Sequence, residues 1–293
     1  MRVLVTGAAG QVGAEVVRAL EGRAQVIAHD RASLDLGDPA QVAARVRAAR
    51  PDAIVNAGAY TAVDRAESER EAAHAVNAVA PGVLAEEAAR AGAFLLHFST
   101  DYVFDGAKRG AYVEDDPTGP LNEYGRSKLE GERAVCAAGA PYAILRTSWV
   151  YGPRGKNFML TMLRLGAERE ELRVVDDQRG APTSSLQLAA LTRELLLERG
   201  LGRLRAAPGI YHATAAGDTT WFGFAQAIFE RAHALGRLPR VPRLVPIPSA
   251  DYPTPARRPA NSVLSCERLA ATFGTRIAHW RDGLAESLSG HGG

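Results

Sequence analysis

Short apolar runs alternate with stretches of helical periodicity through the first half of the chain. Arg2–Thr6 (RVLVT) is apolar and ends in a glycine-rich turn, residues 7–13. Val12, Val16, Val17 and Leu20 then recur at helical spacing, which predicts an amphipathic helix over Gln11–Leu20. Gln25–His29 predicts a second strand, closed by Asp30. Residues 39–50 predict a helix with Asp38 as N-cap and Pro39 in the first position. Ala53–Asn56 (AIVN) predicts a third strand, the Ala-rich residues 71–91 a helix stopped by Gly92, and 94–99 (FLLHFS) a fourth strand. A helix over 125–138 and a strand at Tyr142–Thr147 complete the alternation. Apolar strands separated by single helices predict an α/β fold with a doubly wound parallel sheet, Rossmann-like, with right-handed crossovers.

After Gly152 the alternation breaks down. Residues 172–175 predict a sixth strand, and 186–197 a helix that packs on the sheet. A helix begins at Asn157 and Phe158 and runs to about Arg169. A short strand is expected at 210–213 and a helix at 221–235. Proline content rises between Pro239 and Pro259, and 266–273 and 279–288 read as terminal helices. The expected division is a dinucleotide-binding domain over 1–150, with roughly 170–208 returning to it. A smaller C-terminal substrate lobe takes 151–169 and 209–293. Ligand sites favour such interfaces, so the reacting centre is expected in the cleft between them.

Composition narrows the function classes. The 293 residues are 46% apolar and 23% charged, with a net charge of +2 and no long run of like charge. Neither nucleic acid nor an anionic membrane is an expected partner. No stretch approaches the roughly 18 apolar residues of a membrane span, and the N-terminus lacks a signal-peptide pattern. Cys136 and Cys266 lie far apart without metal-ligand spacing. A reduced, cytoplasmic protein is the expectation.

Three stretches carry candidate chemistry. The turn TGAAGQVG places Gly7, Gly10 and Gly13 between a strand and a helix. Glycines there let backbone approach a pyrophosphate, which the helix N-terminus attracts. Asp30 could accept from a ribose 2′-hydroxyl, favouring NAD. Arg31 could instead meet a 2′-phosphate, favouring NADP; a plain loop carboxylate is the third reading. After the third strand, Ala57, Gly58 and Ala59 are small enough for a cofactor to lie across the strand ends. Asn77 reads equally as a polar surface position or as a neighbour of that cofactor loop. Tyr124 and Lys128, four residues apart, share one helical face. A phenol normally titrates near pH ~10, and an adjacent ammonium would favour its ionised form.

These pieces together resemble the extended short-chain dehydrogenase/reductase superfamily, which joins T-G-x-x-G-x-x-G to Y-x-x-x-K in that order. The sequence is more closely similar to the dTDP-4-dehydrorhamnose reductase family. The similarity is carried by GQVG (10–13), VNAGAYTAVDRAES (55–68), STDYVFDG (99–106) and PLNEYGRSKLEGE (120–132). It continues through RTSWVYG (146–152), GKNF (155–158), DDQRGAPT (176–183) and YPTPARRPANSVL (252–264). It runs from residue 1 to about 288.

The resemblance implies reduction of the C4 keto group of dTDP-4-dehydro-β-L-rhamnose to dTDP-L-rhamnose by NADPH or NADH. Tyr124 would donate the proton to the C4 alkoxide. Lys128 would lower the tyrosine pKa and bind the nicotinamide ribose. Thr100, rather than its neighbour Ser99, would orient the carbonyl oxygen. A positioned acid and a hydroxyl donor suit a ketone that gains hydride. Implied cofactor contacts are Gly7, Gly10, Gln11, Val12, Gly13, Asp30, Arg31, Asp35, Leu36, Ala57, Gly58, Ala59, Tyr60 and Thr61, with Tyr124 and Lys128. Implied substrate contacts are Thr61, Val63, Thr100, Asp101, Tyr102 and Trp149. Trp149 reads equally as a lid on a deoxysugar or as packing between lobes. Arg257 and Arg258 could clamp a diphosphate or form an exposed basic loop. Gln178 and Thr183 lie near ligand or are merely loop, and 105–121 is expected to wall the cleft.

Some members of that family form a dimer around magnesium held by glutamates. Glu15 matches one such ligand, but Leu186 stands where another would be. No metal is therefore expected, Glu15 is read as a solvated helix residue, and a homodimer is the candidate assembly. Two rivals share parts of the pattern. One is a sugar-nucleotide epimerase or dehydratase with retained NAD. The other is a non-catalytic regulatory subunit of the methionine adenosyltransferase type, against which the full Thr100, Tyr124 and Lys128 set argues.

Overall fold

The computed structural model describes residues 1–289. The first strand, β1 (Arg2–Thr6), leads through the glycine turn into α1 (Gln11–Leu20), β2 (Gln25–His29), α2 (Pro39–Ala49) and β3 (Ala53–Asn56). A short helix, α3 (Val63–Ala66), precedes α4 (Arg70–His74), a π-helical turn (Ala75–Val79) and α5 (Ala80–Ala91). Then come β4 (Phe94–Thr100), α6 (Glu123–Ala137) and β5 (Tyr142–Thr147). The Asp38 carboxylate caps α2 by accepting from the backbone N–H of Ala40 and Gln41, as expected of this residue before Pro39.

One continuous helix was expected over 71–91; a π turn interrupts it. Pro81 stands in the first turn of α5 and has no N–H to donate to the Asn77 carbonyl. The widened turn buries Asn77 completely.

The sheet has six strands in the order β10-β5-β4-β3-β1-β2, where β10 is Gly209–His212, and every pairing is parallel. The chain runs outward from β1 to β2, then crosses back to β3 on the other side. That switch opens a crevice beyond the carboxyl ends of β1 and β3. Side chains alternate across the sheet. Val3, Val5, Val55 and Leu96 join one core with α1. Leu4, Ile54, Leu95 and Ile144 join a second with α2 and α5.

The second half corrects the expected boundaries in two places. The strand at 171–175, β7 (Glu171–Val175), does not join the main sheet; it pairs with β12 (Arg243–Ile247) in the lobe. Its alternating exposed and buried residues suit a sheet with one wet face, not one buried on both. Gly209–His212, assigned to the lobe, is instead the edge strand of the main sheet. Between them, α8 (Ser185–Arg193) packs along α1. The lobe is built from α7 (Phe158–Glu168), α10 (Trp221–Ala234) and the β7–β12 pair. Among the described residues no helix is long and apolar enough to cross a membrane.

Candidate active site

The glycine turn is packed against the loop that follows β3. Gly7 has φ +67°, and a Cβ there would lie 2.6 Å from the Gly58 backbone. A Cβ on Gly13 would lie 2.2 Å from the Gly7 carbonyl oxygen. Only hydrogen fits at either place. The start of α1 has Gly10 as N-cap and no side-chain cap. Its first N–H groups are therefore available to an anion. Gly7, Gly10 and Gly13 thus pack on one another and on Ala57 and Gly58, with the Leu36 side chain close against Gly58.

Other expected cofactor residues have partners of their own. The Asp30 carboxylate accepts from the N–H of Ser33 at 3.0 Å and its hydroxyl at 2.8 Å. Those bonds hold the carboxyl below its usual range. Arg31 beside it is exposed. Asp35 accepts from the Gly37 N–H at 2.9 Å. The Gln11 side chain accepts from Asn157 at 2.9 Å, tying the lobe to α1. Asn77 is a buried clamp. It accepts from the Tyr60 N–H at 2.9 Å and donates to the Tyr60 carbonyl and the Ser127 hydroxyl, each at 3.0 Å. The Tyr60 hydroxyl donates to Glu69 at 2.5 Å.

The candidate catalytic residues lie where β4 ends and α6 begins. Asn122 caps α6 through the Gly125 N–H at 2.8 Å and donates to the Arg257 carbonyl at 2.8 Å. Tyr124 therefore enters near Thr100, whose hydroxyl favours ionisation of the phenol. The Thr100 hydroxyl also donates to Asp101 at 3.1 Å and accepts from the Tyr102 N–H at 3.2 Å. The Tyr102 ring meets Tyr124 edge to face, 5.7 Å between centroids.

Lys128, one turn on, is 2% exposed. Its ammonium donates to the Phe98 carbonyl at 2.7 Å and lies 3.3 Å from Nε2 of His97. Burial pushes Lys128 down to about 8, with Glu132 opposing. Tyr124 is pushed up to about 12, chiefly by burial, with Thr100 opposing and Asp101 adding. Lost hydration is thus the largest influence on the phenol, and the buried ammonium is held by the Phe98 carbonyl and His97.

The substrate candidates differ in exposure and in partners. Thr61 is exposed and Val63 half-buried at the start of α3. Asp101 is 3% exposed, and one of its oxygens has no partner among the described residues. Burial raises it to about 7. Arg258 pairs with Asp64 at 2.9 Å and donates to the Ala256 carbonyl at 2.7 Å, while Arg257 is exposed. Trp149 has φ +48° and stacks flat on Trp221, 3.6 Å between centroids. Gln178 accepts from the Trp221 indole at 3.2 Å. Thr183 is fully buried and bonds the Ala181 carbonyl at 3.0 Å. In the 105–121 loop, Tyr112 donates to Asp105 at 2.6 Å and stacks on Phe104.

The model of the RmlD substrate binding domain family matches residues 1–291. A dTDP-4-dehydrorhamnose reductase of Burkholderia thailandensis is 51% identical over 287 residues, 96% of each chain. The chain belongs to the dTDP-4-dehydrorhamnose reductase family. The enzyme of that name from Escherichia coli K12 is 44% identical over 99% of this chain and 97% of its own. A Bacillus anthracis dTDP-4-dehydrorhamnose reductase, solved in complex with NADP, is 35% identical and superposes with a TM-score of 0.91 over 99% of each chain.

One expectation about this family member fails. Glu15 is not solvated but 4% exposed, paired with Arg18 at 2.9 Å and with Arg154 at 3.7 Å. Helix α8 packs along α1 and removes that face from water. Among the described residues no three His, Cys, Asp or Glu groups cluster as metal ligands. Sequence reasoning also passed over the buried polar residues in the strand tails, Thr6, Asn56, His97 and Arg146, together with Glu132. Their signal was present: polar residues ending apolar runs, as in AIVN and FLLHFS, where both faces of the sheet are covered.

Proposed function

We propose that this protein reduces the C4 keto group of dTDP-4-dehydro-β-L-rhamnose to dTDP-L-rhamnose, with NADPH or NADH as donor. The observation that carries this is the placement of Thr100 at the end of β4 and of Tyr124 in the first turn of α6, one turn before buried Lys128, in a chain whose glycine turn packs against the loop after β3. The bound dinucleotide supplies the hydride. The cradle at Gly7, Gly13 and Gly58 fits its pyrophosphate, and exposed Arg31 supports a 2′-phosphate and hence NADPH. Thr100 orients the carbonyl oxygen, and Tyr124 donates its proton to the oxygen as negative charge develops there. A phenol held protonated by burial is a proton source at neutral pH. Lys128 contacts the nicotinamide ribose. Arg257 would pair with the diphosphate, and Trp149 would cover the deoxysugar. Cys136 and Cys266 are both free, which suits a reduced, cytoplasmic setting.

The test follows NADPH absorbance while dTDP-4-dehydrorhamnose is generated in situ, with the product identified by mass spectrometry. Stoichiometric oxidation with formation of dTDP-rhamnose is expected. Protein that retains tightly bound NAD and converts sugar nucleotides with no net oxidation would instead be an epimerase or dehydratase.

A further inference from the structure

Thr6, Asn56 and His97 stand side by side across β1, β3 and β4. Thr6 is the register partner of Asn56, and Asn56 of His97. All three are 0 to 1% exposed. They share a face with Leu4, Ile54 and Leu95, two residues earlier in each strand. A parallel sheet covered by helices normally continues such a face with apolar side chains, so a polar row there requires partners. The Thr6 hydroxyl lies 2.7 Å from Oδ1 of Asn56, and Nδ2 of Asn56 lies 3.0 Å from Nδ1 of His97. Nε2 of His97 lies 3.3 Å from the Lys128 ammonium.

Donor and acceptor bookkeeping leaves one arrangement for a charged lysine. Burial and the Lys128 charge hold His97 neutral. A neutral imidazole has one donor and one acceptor, and an ammonium has only donors. Nε2 must therefore accept, and Nδ1 carries the proton. Asn56 must turn its carbonyl oxygen to Nδ1 and its NH₂ to the Thr6 oxygen. Amide orientation follows from such networks. The ammonium has three protons. One goes to the Phe98 carbonyl and one to His97, so the third has a fixed direction of its own.

We propose that His97 is a positioning residue for Lys128. As the Nδ1–H tautomer, set by Asn56 and Thr6, it fixes the lysine's rotation and presents the remaining proton to the cofactor ribose. This rests on Lys128 meeting that ribose, as proposed above. The row also links the lysine to the glycine crevice. The Thr6 hydroxyl oxygen is 3.5 Å from where a Gly58 Cβ would lie, so the same row underlies both ends of the cofactor site.

The test has two arms on the full chain. Long-range proton–nitrogen spectra of histidine-labelled protein without cofactor, with His97 assigned by loss of its signals in His97→Gln, should show the Nδ1–H tautomer at neutral pH. An Nε2–H tautomer or an imidazolium there overturns the assignment. In the kinetic arm, His97→Leu removes the acceptor. It should raise KM for NADPH and lower kcat/KM by about 10- to 100-fold, the cost of one charge-assisted bond. His97→Gln, which offers an oxygen, should recover most of that loss. A folded His97→Leu with wild-type KM and kcat/KM overturns the role. If His97→Leu does not fold, the tautomer and His97→Gln decide. Wild-type protein that oxidises no NADPH would refute the reductase function while the tautomer still reports on the row.

Discussion

Lys128 and Glu132 lie one helical turn apart on α6 and terminate two different rows of buried polar side chains. Lys128 ends the row from β1, β3 and β4. Glu132 ends a second row, Ser99, Arg146 and His212, register neighbours across β4, β5 and β10. The Glu132 carboxylate takes the Arg146 guanidinium through two bonds, 2.9 and 2.7 Å, and the Ser99 hydroxyl at 2.5 Å. This separates Ser99 from Thr100. Successive strand residues face opposite ways, so Ser99 is consumed beneath α6 while the Thr100 hydroxyl meets Asp101 and the Tyr102 N–H.

Tyr124→Phe removes the proposed proton donor and leaves the ring. Reductase kcat should fall by about 10²- to 10⁴-fold, with NADPH affinity close to wild type. Binding titration and steady-state rates separate the two, and a variant with full kcat would exclude the phenol as the acid.

Arg146→Met leaves Glu132 buried and charged without its partner. Unfolding by denaturant should show a loss of roughly 3–5 kcal/mol. Replacing both, as Arg146→Met with Glu132→Leu, should recover much of that loss, because an apolar pair carries no unpaired charge. A double variant no more stable than Arg146→Met would mean that the row contributes through packing alone.

Asp101 titrates at about 7, raised by burial above its ordinary value of 3.8. The folded protein therefore binds more protons here than the unfolded chain between those values. Stability tied to this group is full at low pH and is lost as pH rises towards and through 7, a swing on the order of 4 kcal/mol at most. Asp101→Asn carries no such charge. Its stability relative to wild type should grow by more than about 1 kcal/mol from about pH 4 to about pH 8. An offset constant with pH in thermal melts would show that Asp101 is not protonated in the native state.

Gly131→Ala reverses the usual sign of a helix substitution. Helix propensity favours alanine over glycine by about 1 kcal/mol. A Cβ at Gly131 would lie 2.0 Å from the Asn77 carbonyl oxygen, where α6 crosses the π turn. The variant should be less stable than wild type, with a weakened Asn77 clamp on Tyr60 and a raised KM for NADPH. A stabilised variant would show that the two helices separate freely.

The strands and helices that carry the cofactor crevice were legible because apolar period and cap chemistry are local. Asp38 before Pro39 announced α2, and RVLVT before the glycine turn announced β1. Tyr124 and Lys128 were legible as one helical face for the same reason. The roles of Asp30 and Asn77 were not. Asp30 turns to Ser33 in its own loop, and Asn77 turns inward through the widened turn before Pro81. Spacing along the chain does not report either choice.

By itself the sequence determined the alternating elements, the parallel sheet, the glycine turn and the placement of Tyr124 and Lys128 on one helix. These depend on residue type and near neighbours. Only the tertiary structure decided which strand closes the sheet, since Gly209–His212 takes that edge and Glu171–Val175 pairs in the lobe. It alone decided that the Lys128 ammonium meets His97 and the Phe98 carbonyl, and that Glu15 is buried. Burial and register between strands distant in sequence set those outcomes, because a charge removed from water takes whichever partner the packing brings to it.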